Sequence, residues 1–161
     1  MTKICVFSDS HGFAGNMIAA TGIEHPDAVF FLGDGARDIE ELAERYPDLT
    51  VYAVSGNCDF FSDRSSSLCC TIEDVTIYAT HGHLSRVKYE YDLDTLTAQA
   101  EEAGADIALF GHTHQPFHED YSGVKVVNPG TAGKGRSLTW ALLDIRENGG
   151  IGVDFHSFSP G

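Results

Sequence analysis

Basic residues are scarce in this chain. Ten lysines and arginines stand against 24 acids, a formal net charge of −14 with histidine neutral. Such a surface repels polynucleotides and anionic membranes over most of its area, so long nucleic acid is not an expected partner. Long apolar runs are missing too, with nothing near the ~18–20 residues that cross a bilayer. The start, MTKICVFSDSHG, turns polar after about five apolar residues, too few for a signal-peptide core. A cytoplasmic protein with no membrane partner is the expectation. The four cysteines (Cys5, Cys58, Cys69, Cys70) form no C-x-x-C pair, and two of them are adjacent. That excludes a disulfide framework or a zinc ribbon and leaves reduced thiols as the default. Internal repeats, low-complexity tracts and linkers are absent, so residues 1–161 read as one domain.

What the chain does have is histidine: eight of them, with two pairs spaced H-x-H. Their setting is repetitive. Apolar runs at Lys3–Phe7, Ala28–Leu32 and Thr50–Val54 read as buried strands that break into SDSHG, GDG and SGNCD. Helical patterns lie between them at Asn16–Glu24 and Asp38–Arg45, the second with acids on a face that reads as solvated. Leu68–Ile72 and Val75–Thr80 predict a hairpin running into HGH, and Asp106–Phe110 a further buried strand ending in GHTH. Leu93–Ala103 reads as a helix closed by Gly104. Short strands around Phe117–Tyr121 and Val124–Val127 follow, then the loop NPGTAGKGR and a hairpin over Ser137–Phe158 turning at Glu147–Gly150. The class is α/β, richer in strands toward the end.

Ligand sites in open α/β sheets form beyond the carboxyl ends of the strands. Asp9, His11, Asp34, Asn57, His81, His112 and His114 all fall there. Carboxylates, imidazoles and one amide suit borderline divalent ions such as Mn, Fe, Co, Ni or Zn. Side chains repeat every two residues on an extended segment, so Asp9/His11 and His112/His114 would each form a jaw if their loops stay extended. Seven donors exceed what one ion with open positions needs; they suit two ions ~3.5–4 Å apart with a shared carboxylate.

The motifs D-S-H at 9–11, G-D at 33–34, G-N at 56–57, H-G at 81–82 and G-H-T-H at 111–114 resemble those of the calcineurin-like metallophosphoesterases. S-D-S-H-G, G-N-C-D and N-P-G are similar to the small bacterial and archaeal phosphodiesterases of that family. The resemblance implies a four-layer αββα sandwich, two mixed β-sheets flanked by helices. It implies that Asp9, His11 and His114 hold one divalent metal, Asn57, His81 and His112 a second, and that Asp34 bridges them, with Mn²⁺ the first choice. It also implies a phosphodiesterase hydrolysing small phosphodiesters by in-line attack of a metal-bridging hydroxide. Larger members carry histidine after the asparagine; here that slot is Cys58, with Asp59 beside it, and both are candidate catalytic residues. His83 is a candidate substrate-phosphate contact, as is Arg136, whereas the loop with Lys134 reads as a turn.

Plainer readings stand beside these. His25, His118 and His156 lie outside the motifs and read as structural, and Cys5, Cys69 and Cys70 as small buried hydrophobes. The alternatives for the whole chain are a metal-binding protein-interaction scaffold of the same fold, a phosphomonoesterase, or a dinucleoside polyphosphate hydrolase. The last would need cations around its mouth, which the sequence does not reveal. A homo-oligomer is compatible with everything above.

Overall fold

The protein is described by a computed structural model that covers all residues except Phe61, Lys134 and 159–161. Three parallel strands, β1 (Thr2–Phe7), β2 (Ala28–Phe31) and β3 (Thr50–Ala53), alternate with helices α1 (Gly15–Glu24) and α2 (Ala36–Arg45). The antiparallel strands β9 (Thr139–Ile145) and β10 (Ile151–Ser157) extend this sheet to the order β10-β9-β1-β2-β3. A second sheet runs β4-β5-β6-β8-β7. It contains the hairpin β4 (Ser67–Ile72) and β5 (Val75–Thr80), then β6 (Ile107–Leu109), β7 (Pro116–Tyr121) and β8 (Val124–Pro129). Helix α3 (Asp94–Glu102) connects β5 to β6, and these two strands pair in parallel.

The layering follows from alternation along each strand. On β1, Ile4 and Val6 face a core shared with Ile77 and Ala79 of β5 and Ile107 and Leu109 of β6, so the two sheets pack face to face. Cys5 and Phe7 face the other way, against Met17 and Ala20 of α1 and Ile39 and Leu42 of α2. The outer face of the second sheet, with Ala108 and Val126, is covered by Leu96 and Ala100 of α3. The order is therefore helices, sheet, sheet, helix, the expected four-layer sandwich of two mixed sheets. Strands β1, β2 and β6 are buried on both faces, which is why their sequences are unbroken apolar runs rather than alternating ones. Among the described residues no helix is long and apolar enough to cross a membrane.

Two local expectations are corrected. The acidic face of α2 is not wholly solvated: Asp38 is 6% exposed and bonded inward. Nor do the loops after β1 and β6 stay extended. Asp9, His11, His112 and His114 have φ of 55°, 45°, 69° and 65°, and Asp34 after β2 has 62°. The left-handed region costs a non-glycine residue roughly 1–3 kcal/mol, and such strain collects where surrounding contacts over-determine the backbone.

Candidate metal centre

Those contacts are visible. The loop after β1 is bonded to the loop after β2 through Asp9 N to Gly33 O at 2.9 Å and His11 N to Asp34 O at 3.0 Å. Three buried or half-buried polar side chains then hold one loop each. Asp38 Oδ2 accepts from Ser10 Oγ at 2.6 Å and from Gly12 N at 2.8 Å, gripping the loop that carries Asp9 and His11. Asp59 accepts from four amides: Asp34 N and Gly56 N on Oδ2, Gly35 N and Ala36 N on Oδ1. It thereby fixes the Asp34 turn and caps the start of α2. Asn128, from the N-P-G motif, donates to Gly111 O and Thr113 Oγ1, both at 3.0 Å, and steadies the loop bearing His112 and His114. Gly56 belongs to the same framework, since a Cβ there would overlap the Asp34 carboxylate and backbone nitrogen.

The loops deliver two adjoining donor groups. Asp9, His11 and His114 offer ligand atoms within 4.8 Å of one another, and so do Asp34, His81 and His112. The H-x-H pair at 112–114 thus divides between the groups instead of acting as one jaw. A left-handed turn at each histidine breaks the extended backbone on which a shared side depends. Across the first group, His11 Nε2 and His114 Nε2 stand 3.4 Å apart, and His114 Nε2 lies 3.3 Å from Asp9 Oδ1. In the second, His81 Nε2 is 3.2 Å from His112 Nδ1 and 3.3 Å from Asp34 Oδ2. Asp34 Oδ2 also faces His11 Nε2 at 3.8 Å, which sets this carboxylate between the groups. Its other oxygen accepts from Cys58 N at 2.8 Å.

Two features show that these donors fit a cation. Asp9 Oδ2 is satisfied by Ser8 Oγ at 2.5 Å and His112 N at 3.0 Å, but the buried Asp9 Oδ1 has no hydrogen-bond partner among the described residues. A buried carboxylate oxygen without a partner is costly unless something positive meets it. The fully buried His81 places Nδ1 2.7 Å from Leu32 O, which accepts its proton, so Nε2, facing Asp34 and Asp9, is the nitrogen left for a cation. Asp9, Asp34 and His81 form a buried floor, with His11 and His114 half-exposed above it.

The electrostatics of the protein's own groups at this site are polarised. Burial opposes ionisation of Asp34, yet contacts from His81 and the Cys58 amide hold its carboxyl well below the usual range. Burial likewise opposes a charged His81, but Asp34 and Asp9 outweigh it and lift that imidazole above its ordinary value. The Asp9 carboxylate raises His114. Burial and the neighbouring His81 and Lys88 push His112 down to about 4.

The remaining sequence candidates sit around this centre. Asn57 is exposed on the rim, its Nδ2 donating to Cys58 Sγ at 3.7 Å. Cys58 is exposed; partial burial and the Asp34 charge raise its thiol pKa, and its sulfur groups with His11 and Asp34. His83 lies in a short 3₁₀ turn at His83–Ser85, its ring centroid 5.4 Å from that of His81. Its buried Nδ1 has no hydrogen-bond partner among the described residues. Arg136 is exposed, and Lys134 lies outside the described residues. His25 ends α1, His118 is 3.8 Å from Asp120, and His156 stacks on Trp140 with centroids 4.6 Å apart. Sequence reasoning missed Asp38 and Asn128. The N-P-G motif pointed to the second, and nothing local distinguished Asp38 from its acidic neighbours.

Comparison with known proteins identifies the family and the fold. Residues 2–148 match the model of the calcineurin-like phosphoesterase superfamily domain. The probable metallophosphoesterase YsnB of Bacillus subtilis is 35% identical over 160 residues, covering 96% of this chain and 90% of that protein. A predicted phosphoesterase from Streptococcus pneumoniae TIGR4 superposes with a TM-score of 0.80 at 29% identity, over 99% of this chain and 94% of its own. A structure described as a novel archaeal phosphodiesterase shares the fold, with a TM-score of 0.71 at 22% identity and 96% and 99% coverage.

Proposed function

This chain belongs to the calcineurin-like phosphoesterase superfamily, and we propose that it is a phosphodiesterase acting on small phosphodiesters with two divalent ions, Mn²⁺ foremost. Asp9, His11 and His114 would hold one ion, and Asn57, His81 and His112 the other. The reading rests above all on Asp34, whose Oδ2 faces His81 of one donor group and His11 of the other. A carboxylate so placed is what a shared ligand requires. The fold shared with the archaeal phosphodiesterase supports the diester assignment.

When bound, such ions supply Lewis acidity, lowering the pKa of a coordinated water toward about 7 and offsetting charge that develops on phosphorus. The chain does the rest. Leu32 O fixes the His81 tautomer. Asp59 acts as a positioning residue, because its oxygens are engaged by amides and serve to hold the Asp34 turn. The Cys58 thiol, whose sulfur groups with His11 and Asp34, would give a proton to the departing ester oxygen. His83, its pKa lowered by burial and His81, offers a neutral ring to a substrate phosphate.

Metal analysis combined with turnover of bis(p-nitrophenyl) phosphate and p-nitrophenyl phosphate tests the proposal. Faster hydrolysis of the diester by protein loaded with two Mn²⁺ is expected. Preference for the monoester would make it a phosphomonoesterase. Stoichiometric metal with no turnover of either compound would favour the scaffold.

A further inference from the structure

An open cleft of about 640 Å³ adjoins the donor groups. His11, Asp34 and Cys58 line it on the metal side, and Arg37, Glu40 and Phe60 are among the residues of its outer wall. Arg37 sits in the first turn of α2, exposed and with no ion-pair partner among the described residues. The end of that helix offers no open anion hole, because the Gly35 and Ala36 amides already donate to Asp59. Of the other acids on this wall, Asp38 is committed through Oδ2 to Ser10 and Gly12, and Asp59 to four amides. That leaves Glu40 as the exposed carboxylate beside Arg37. Phe60, 82% exposed, presents a bare ring to the same space. Beyond the histidine, then, Arg37 is the one cation among the described residues that line this cleft, on a protein of net charge −14.

We propose that the cleft receives the second ester arm of the substrate, and that Arg37 selects arms carrying a further negative charge, with Phe60 stacking on a planar ring in that arm. This rests on the phosphodiesterase reading. Its sign is informative, because the field of an acidic protein by itself disfavours an anionic arm. A guanidinium within reach of an anion forms a charge-assisted hydrogen bond that reverses the order.

Three chromogenic diesters form the test: p-nitrophenyl thymidine 5′-phosphate, its 3′-phosphorylated analogue, and p-nitrophenyl phosphorylcholine, whose arms are neutral, anionic and cationic. For the metal-loaded protein, kcat/KM for the anionic arm should exceed that for the cationic arm by about tenfold. Arg37→Ala should erase that ratio, Arg37→Lys should keep part of it, and Arg146→Ala, which removes the same charge beside the β9–β10 turn, should leave it as in the parent. A parent ratio favouring the cationic arm, or one that survives Arg37→Ala, overturns the inference. Turnover of none of the three would instead defeat the phosphodiesterase reading. Calorimetric titration with thymidine 3′,5′-bisphosphate and thymidine 5′-monophosphate then decides the cleft separately. Tighter binding of the bisphosphate that disappears in Arg37→Ala upholds it, and equal binding refutes it.

Discussion

The His81 Nδ1 nitrogen lies 2.7 Å from the Leu32 carbonyl oxygen, and this contact decides which nitrogen of the ring is left for a cation. Leu32 ends the second strand's apolar run, while His81 follows the fifth strand in the other sheet. The bond therefore ties the two sheets together at the carboxyl edge and aims Nε2 at Asp34 and Asp9. Such outer hydrogen bonds to a metal-binding histidine fix both tautomer and orientation.

Replacing the carboxylate between the donor groups isolates its charge from its shape. Asp34→Asn keeps an acceptor for the Cys58 amide, so the fold and melting temperature should persist. Bound metal should fall from two ions to one or none. Turnover should drop more than the ~10–100-fold seen when outer partners of a metal ligand are changed. Full metal loading with near-parent kcat would sink the shared-ligand arrangement.

Asp38 uses one oxygen for both its bonds. Asn supplies such an oxygen and Ala does not. Asp38→Ala should cost about 1–3 kcal/mol, the penalty for leaving buried groups unpaired, and should weaken metal binding on the Asp9–His11 side. Asp38→Asn should recover most of the metal affinity by calorimetry. Equal loss in both variants would mean that charge, not the hydrogen bonds, is what this side chain contributes.

Gly56→Ala places a methyl group on the Asp34 carboxylate. Forced overpacking of this kind costs about 1–3 kcal/mol, and here the displaced group is the proposed shared ligand. Metal content should fall even where circular dichroism shows the fold retained.

In the metal-free protein, His112 titrates near 4 because burial, His81 and Lys88 disfavour its charged form. An unfolded histidine titrates near 6.5. Between those values the unfolded chain holds the extra proton, so the contribution of the neutral ring is complete above about 6.5 and lost as pH falls toward 4. His112→Gln should flatten the decline of thermal stability in that window, measured after exhaustive chelation. A decline of unchanged steepness would refute the assignment.

Cys58→His should alter the dependence of rate on leaving-group pKa more than it alters metal affinity. A series of substituted phenyl diesters reads this directly. Identical slopes in both proteins would remove the thiol from proton transfer.

Much of this was legible before any fold was known. Lys3–Phe7, Ala28–Leu32 and Asp106–Phe110 read as buried strands because residues covered on both faces must be apolar throughout. Each run breaks at a glycine or a short polar residue followed by a donor, which placed Asp9, Asp34, His81 and the 112–114 pair at one edge. Asp38 was illegible because burial depends on what lies across from a helix face; the acids flanking it have the same chemistry and remain in water.

The apparent poverty in cations also reads differently in three dimensions. The sequence alone determined the family, the strand-end donors and an acidic surface, since these depend on residue identity and short-range periodicity. Only tertiary structure decided that the donor loops turn left-handed at Asp9, Asp34 and His112 instead of staying extended, and that Arg37 borders the same site. Both outcomes turn on packing between segments far apart in the chain. Neither leaves a periodic trace in the order of amino acids.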